Sequence, residues 1–115
     1  MGKLEELSKQ RAAAHRKLLS LRSQVYQKFL EMEKAAFSDG ELPKKVKELI
    51  AIGISVVIDC ESCMQWHIEQ AVRGGASMQE VLEAIEVGIE MSGGPATVAA
   101  RFALEVMERV YSNSK

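Results

Sequence analysis

The chain is short of most features that would announce a partner. Its 15 lysines and arginines nearly cancel 16 aspartates and glutamates, leaving a net charge of −1. No overall field therefore favours nucleic acid, a polyanionic substrate or an anionic membrane surface. It lacks a charge-free apolar run of about 18 residues, the length that would suggest a membrane span. Its opening stretch MGKLEELSKQR has no apolar stretch of the kind a secretory signal carries. A cytoplasmic protein with no membrane segment is expected. Cysteine is scarce as well: Cys60 and Cys63 are the two present. A secreted scaffold would spread several cysteines to close long loops, so this spacing points instead to redox or metal chemistry.

Proline is equally rare. Pro43 and Pro95 each stand at the head of a helix-period segment, where the missing N–H would have been unpaired anyway. No internal repeat, low-complexity tract or second-domain linker interrupts the sequence, which predicts one domain. Residues 4 to about 36 contain no Gly or Pro, and Leu18, Leu21, Val25, Phe29, Met32 and Ala36 step by three and four. That predicts one long amphipathic N-terminal helix within residues 1–40, stopped by the turn-forming Ser38-Asp39-Gly40. The remaining 41–115 form the helical core. From Pro43 to Ile58 a charged turn leads into LIAIGISVVI, whose β-branched residues make a strand the competitor, but the length and the proline start favour a buried helix. Asp59 is placed to cap a third helix over about 60–73, ended by Gly74-Gly75. Ser77 and Glu80 form a capping box for a fourth, which runs to about Met91. After Gly93-Gly94-Pro95 a fifth helix carries Val98, Phe102, Leu104, Val106 and Val110 before fraying in the tail Ser112-Asn113-Ser114-Lys115. The expected fold is all-α, with about five helices.

The chemistry concentrates between Glu48 and His67. On a helix over 60–73, Cys60, Cys63 and His67 step by three and four and share one face. Both cysteines fall in or beside the first turn, where unpaired N–H groups and the positive dipole end favour thiolate over thiol. His67, one turn beyond Cys63, can take or relay the thiol proton near neutral pH, and Glu48 from the preceding helix can fix its tautomer. A second thiol within reach of an oxidised sulfur closes a disulfide and prevents overoxidation. Two other readings stay open on the residues alone. The cysteines could be small apolar packing residues, or two thiolates, an imidazole and a carboxylate could hold zinc, although structural zinc sites usually place ligand pairs on separate loops. Trp66 reads as a core or interface anchor, and His15, in a basic stretch, as a solvated surface residue.

The pattern Glu48-x11-Cys60-x2-Cys63-x3-His67, followed by Gly-Gly-Pro-Ala at 93–96, resembles the carboxymuconolactone decarboxylase family, and within it the alkylhydroperoxidase AhpD-like branch. The resemblance spans about residues 42–110. It implies an all-helical fold, no bound cofactor or metal, and a peroxidase cycle on hydrogen peroxide or an organic hydroperoxide. By the same resemblance Cys63 becomes the sulfenic acid, Cys60 resolves it, and Glu48 and His67 form the proton relay. A dithiol or lipoyl-type reductant would reset the disulfide. Two departures stand out: the alkylhydroperoxidase has a histidine immediately before the attacking cysteine where this chain has Ser62, and that enzyme is a longer, two-repeat protein. A general disulfide oxidoreductase or redox sensor, or a decarboxylase-like protein, are the alternatives.

Charge patterning adds an expectation about assembly. Between Glu6 and Glu31 lie Lys9, Arg11, Arg16, Lys17, Arg22 and Lys28 with no acid, whereas the fourth predicted helix carries Glu80, Glu83, Glu86 and Glu90 with no basic residue between Arg73 and Arg101. The two surfaces are complementary in sign, and Leu18, Val25 and Met32 repeat at the heptad period of a helix seam. A homo-oligomer is expected, and the family resemblance implies trimers or hexamers.

Overall fold

The computed structural model describes residues 2–113, and these form six α-helices: α1 (Lys3–Ser20), α2 (Gln24–Ala36), α3 (Lys44–Val57), α4 (Glu61–Arg73), α5 (Met78–Ser92) and α6 (Gly94–Asn113). The described residues contain no strand, so LIAIGISVVI is helical and the all-α expectation holds. The count is six and not five because the single helix expected over 4–36 is two helices. Residues 114 and 115, part of the tail expected to fray, lie outside the described residues. The chain divides into two compact units, one ending at Ser38 and the other beginning at Asp39.

The break in the first unit has a local cause. Arg22 adopts the left-handed conformation, φ 55°. The N–H of Arg22 then donates to the carbonyl of Leu19 at 3.0 Å, and that of Ser23 to Leu18 at 3.2 Å. This pair of bonds is a Schellman closure, which usually places Gly at the left-handed position. A left-handed non-glycine residue costs roughly 1–2 kcal/mol, and the Ser23 side chain helps offset that by accepting the N–H of Tyr26 at 3.1 Å, an N-cap worth about 1 kcal/mol. Ser23 thus closes one helix and opens the next. His15 is not solvated as expected. It is half-buried and hydrogen-bonds the Tyr26 hydroxyl across this corner, the two rings meeting edge to face at 5.5 Å. Leu21, Val25, Phe29 and Met32 form an exposed apolar row, with Val25 81% exposed.

In the second unit α3 packs chiefly on α5 and α4, and both of these pack on α6. Each helix turns inward a row spaced by three and four: Ile52 and Val56 from α3, Met64, Ile68 and Ala71 from α4, Val81 and Ile85 from α5, Ala99, Ala103 and Val106 from α6. Full burial of each larger side chain contributes roughly 1.5–3 kcal/mol. The stops expected at Gly74-Gly75 and the capping box of Ser77 with Glu80 are both present. At the crossing of α3 and α5 the backbones nearly touch: a Cβ on Gly88 would lie 2.7 Å from the carbonyl oxygen of Gly53. The Tyr111 hydroxyl donates to the carbonyl of Ala76, fastening α6 to the corner between α4 and α5. Burial pushes that phenol above its ordinary 10.0, and the nearby Glu80 carboxylate adds to the effect.

The opposite face of the α3–α5 pair is uncovered. Ile50, Ile54, Val57, Val87 and Met91 line an open apolar groove of about 540 Å³, and Val87 and Met91 are 61% and 72% exposed. No helix among the described residues is long and apolar enough to cross a membrane.

Candidate active site

The turn between α3 and α4 sets the position of the cysteine pair. Asp59 is left-handed, φ 53°. Its N–H donates to the carbonyl of Val56 at 3.2 Å, and the N–H of Cys60 donates to that of Ser55 at 3.0 Å. This is the same Schellman closure that separates α1 from α2, here with an aspartate in the position glycine usually fills. Asp59 is therefore the stop of α3 and not, as expected, the cap of α4. Cys60 is the cap: its sulfur accepts the backbone N–H of Cys63 at 3.2 Å, and its carbonyl accepts the N–H of Met64 at 2.9 Å. One residue closes α3 through its N–H and opens α4 through its carbonyl and sulfur. Both cysteines are half-buried, and they are joined as a disulfide with Cα atoms 5.2 Å apart.

Glu48 stands on α3 and is 1% exposed. A carboxylate so placed is strongly disfavoured unless its oxygens find partners, and both do. The Nδ1–H of His67, from α4, donates to Oε1 at 2.7 Å, a tautomer that follows because a carboxylate can only accept. The Nζ of Lys44, one turn earlier on α3, donates to Oε2 at 2.7 Å. His67 is largely covered, and Lys44 remains 43% exposed. The structure thus brings Glu48 to His67, and sets Cys60, Cys63 and His67 in order along the start of α4. Cys63 precedes His67 by one helical turn.

Lys44 was not singled out in the sequence. Its signal was the four-residue spacing from Glu48, common to many solvated helix pairs. Only burial of Glu48 gives that spacing weight. Neighbouring Lys45 turns elsewhere, to Glu80 of α5 at 3.2 Å. Ser62 is exposed beside Cys63, and Trp66 is half-buried on α4. Among the described residues no group of three or more His, Cys, Asp or Glu side chains is arranged to hold a metal ion.

Chemically, this arrangement offers a dithiol–disulfide couple at a helix N-terminus beside an oriented imidazole. The sulfur of Cys60 lies where a helix end favours negative charge. His67 keeps Nε2 as its second proton-handling atom.

Comparison with known proteins places this geometry in a family context. The sequence profile of the carboxymuconolactone decarboxylase family matches residues 23–106. An uncharacterized protein encoded in the cox locus of Paracoccus denitrificans is 39% identical over 82 residues, covering 71% of this chain and 74% of that protein. An uncharacterized protein of Cupriavidus necator is 42% identical over 76 residues, covering 66% of this chain and 67% of its own. Among solved structures, an apo carboxymuconolactone decarboxylase family protein of Legionella pneumophila superposes with a TM-score of 0.88 at 31% identity, over 94% of this chain and 96% of that one. A family member from Thermotoga maritima, for which an antioxidative role has been suggested, gives a TM-score of 0.84 at 25% identity, over 93% of this chain and 91% of that one.

Proposed function

The chain belongs to the carboxymuconolactone decarboxylase family, and on that premise we propose that it is a thiol-dependent peroxidase of the alkylhydroperoxidase AhpD-like branch. Its substrate would be hydrogen peroxide or an organic hydroperoxide. The observation that carries this reading is the buried hydrogen bond from His67 to Glu48, 2.7 Å long, on the helix that begins with the Cys60–Cys63 pair. A packing cysteine pair needs no such proton-handling group beside it.

In the proposed cycle the reduced enzyme begins with two thiols. His67, oriented by Glu48, takes the proton of Cys63. The thiolate attacks one peroxide oxygen, the O–O bond breaks, and the leaving oxygen takes a proton to become an alcohol or water while Cys63 becomes a sulfenic acid. The Cys60 thiol then attacks the Cys63 sulfur, expelling water and forming the disulfide. A dithiol or lipoyl-type reductant attacks that disulfide by exchange, is itself oxidised, and restores both thiols. A cycle reset by thiols suits the reducing cytoplasm.

The test is peroxide consumption with a dithiol reductant, run beside turnover of a small disulfide substrate. Cys63→Ser should abolish peroxide reduction. Cys60→Ser should leave a sulfenic acid on Cys63 that a nucleophilic probe traps after one turnover. Trapping on Cys60 instead would reverse the two roles. Disulfide turnover without peroxide turnover would make the chain a disulfide oxidoreductase or redox sensor, the outcome that Ser62 in place of a histidine favours.

Assembly belongs to the same reading. The chain would work as a homo-oligomer in which the apolar row of α2 from one copy, Val25, Phe29 and Met32, covers the α3–α5 groove of another. Both surfaces are apolar and uncovered. The basic run expected to complement the acidic Glu83, Glu86 and Glu90 lies mostly on α1, whereas α2 balances Lys28 and Lys34 with Glu31 and Glu33. Apolar burial would therefore supply the adhesion.

A further inference from the structure

Lys44 has no part in the cycle above, yet its Nζ lies as close to Glu48 as His67 does, 2.7 Å in each case. We propose that Lys44 is a positioning residue for the Glu48–His67 pair: its ammonium group neutralises the buried carboxylate, so that Glu48 orients the imidazole without holding a second proton on it. This deepens the thiol-peroxidase reading and rests on it for its functional meaning.

The argument starts from what a buried carboxylate does to a neighbouring imidazole. An opposite charge within about 4–6 Å favours the charged form of a titratable group, and the low-dielectric surroundings of Glu48, 1% exposed, strengthen that pull. Left alone with Glu48, His67 would be drawn toward imidazolium. Both ring nitrogens would then be donors, and no lone pair would remain for a proton from Cys63. A cation on the other carboxylate oxygen removes that demand and leaves the hydrogen bond to Nδ1 intact. Orientation and charge, which a lone Glu48 would impose together, become separable.

The structure places Lys44 for this task. It is the first residue of α3, directly after Pro43, and its backbone N–H donates to Asp39 Oδ1 at 2.7 Å. That bond satisfies one of the open donors of the helix start and fixes the backbone from which the lysine stem runs one turn down to Glu48. Two other titratable groups of the surrounding helices bond elsewhere. Lys45 binds Glu80 of α5 at 3.2 Å, and the Tyr111 hydroxyl of α6 binds the carbonyl of Ala76. Glu48 is bonded by Lys44 from its own helix and by His67 from α4.

The experiment uses the reduced full-length protein labelled with 15N at histidine, with Lys44→Met, Lys44→Gln and Lys44→Arg beside the unmodified chain. Ring nitrogen shifts distinguish imidazolium from each neutral tautomer, and His15 serves as the internal reference. At pH 7 the imidazolium-to-imidazole ratio of His67 should rise about tenfold in Lys44→Met and Lys44→Gln, the lower end of what one opposite charge at this range produces. Lys44→Arg should restore the original ratio, and His15 should not change in any variant. An unchanged His67 ratio in Lys44→Gln would overturn the proposal. So would a raised ratio in Lys44→Arg, because the geometry of lysine and not its charge would then matter. If Lys44→Met fails to fold, Lys44→Gln and Lys44→Arg decide. The readout needs no peroxide turnover, so failure of the peroxidase reading and failure of the role of Lys44 are told apart.

Discussion

The Nδ1–H of His67 donates to Oε1 of Glu48 at 2.7 Å between α4 and α3, with the carboxylate closed to water. If this pair moves a proton in the peroxidase cycle, Glu48→Gln and His67→Gln should each lower the rate by about 10²-fold, the lower end of the usual contribution of a general acid–base group. Glutamine is close in shape and can still hydrogen-bond, so helix content by circular dichroism should hold. Full activity in either variant would remove that residue from the mechanism, and loss of helix content would make it structural.

The crossing of α3 and α5 predicts a purely structural sensitivity. A Cβ at position 88 would lie 2.7 Å from the Gly53 carbonyl oxygen and 3.0 Å from the Val56 Cβ. Backbone on the far side cannot step aside as a flexible side chain would. Gly88→Ala should therefore destabilise the fold by about 1–3 kcal/mol, the range for overpacking a filled core. The urea unfolding midpoint measures this, and a midpoint equal to that of the unmodified chain would contradict the close approach.

Much of this was legible beforehand. The capping box at Ser77 and Glu80, the stop at Gly74-Gly75 and the helical phase of Cys60, Cys63 and His67 all follow from short-range rules that hold wherever the segment sits. The corner at Leu21-Arg22-Ser23 was not legible, because it stops a helix without glycine or proline and relies on Ser23 to cap the next one. Asp59 misled for the same reason: aspartate suits both a helix cap and a left-handed stop, and the neighbouring cysteine took the cap. The weight of Lys44 depends on the burial of Glu48, and the Gly53–Gly88 contact joins residues from two helices. Both are tertiary facts that no local spacing reveals.

Acid should loosen the start of α5 in a predictable way. The N–H of Ser77 donates to the Glu80 carboxylate at 2.9 Å, and this bond, with help from Lys45, holds the group below its ordinary 4.5. A carboxyl lowered in the folded state stabilises the fold at pH values above its unfolded value, and that contribution disappears as pH falls through the folded one. The difference in thermal midpoint between the unmodified chain and Glu80→Gln should thus be constant near neutrality and shrink below about pH 4.5. A difference that persists unchanged into stronger acid would show that the charge of Glu80 is not what stabilises the turn.

Self-association is checked by light scattering at micromolar concentration. The proposed seating of α2 in the α3–α5 groove predicts an assembly larger than one chain. Val87→Asp should disperse it, by placing another negative charge and a polar group in an apolar groove already flanked by Glu83, Glu86 and Glu90. A monomer mass for the unmodified chain would end the proposal, as would an assembly that survives deletion of residues 1–36.

Cys60 joins two helices through atoms that take no part in sulfur chemistry. Its N–H is bound to Ser55 and its carbonyl to Met64, and neither of these backbone atoms forms or breaks a covalent bond in thiol–disulfide exchange. The junction behaves like a soldered terminal: current passes through the contact while the board stays still. An enzyme cycling between dithiol and disulfide on such a mount needs no chain segment to unwind and rewind at each turn. Its oxidised and reduced forms should therefore give nearly superimposable amide spectra away from the first turn of α4.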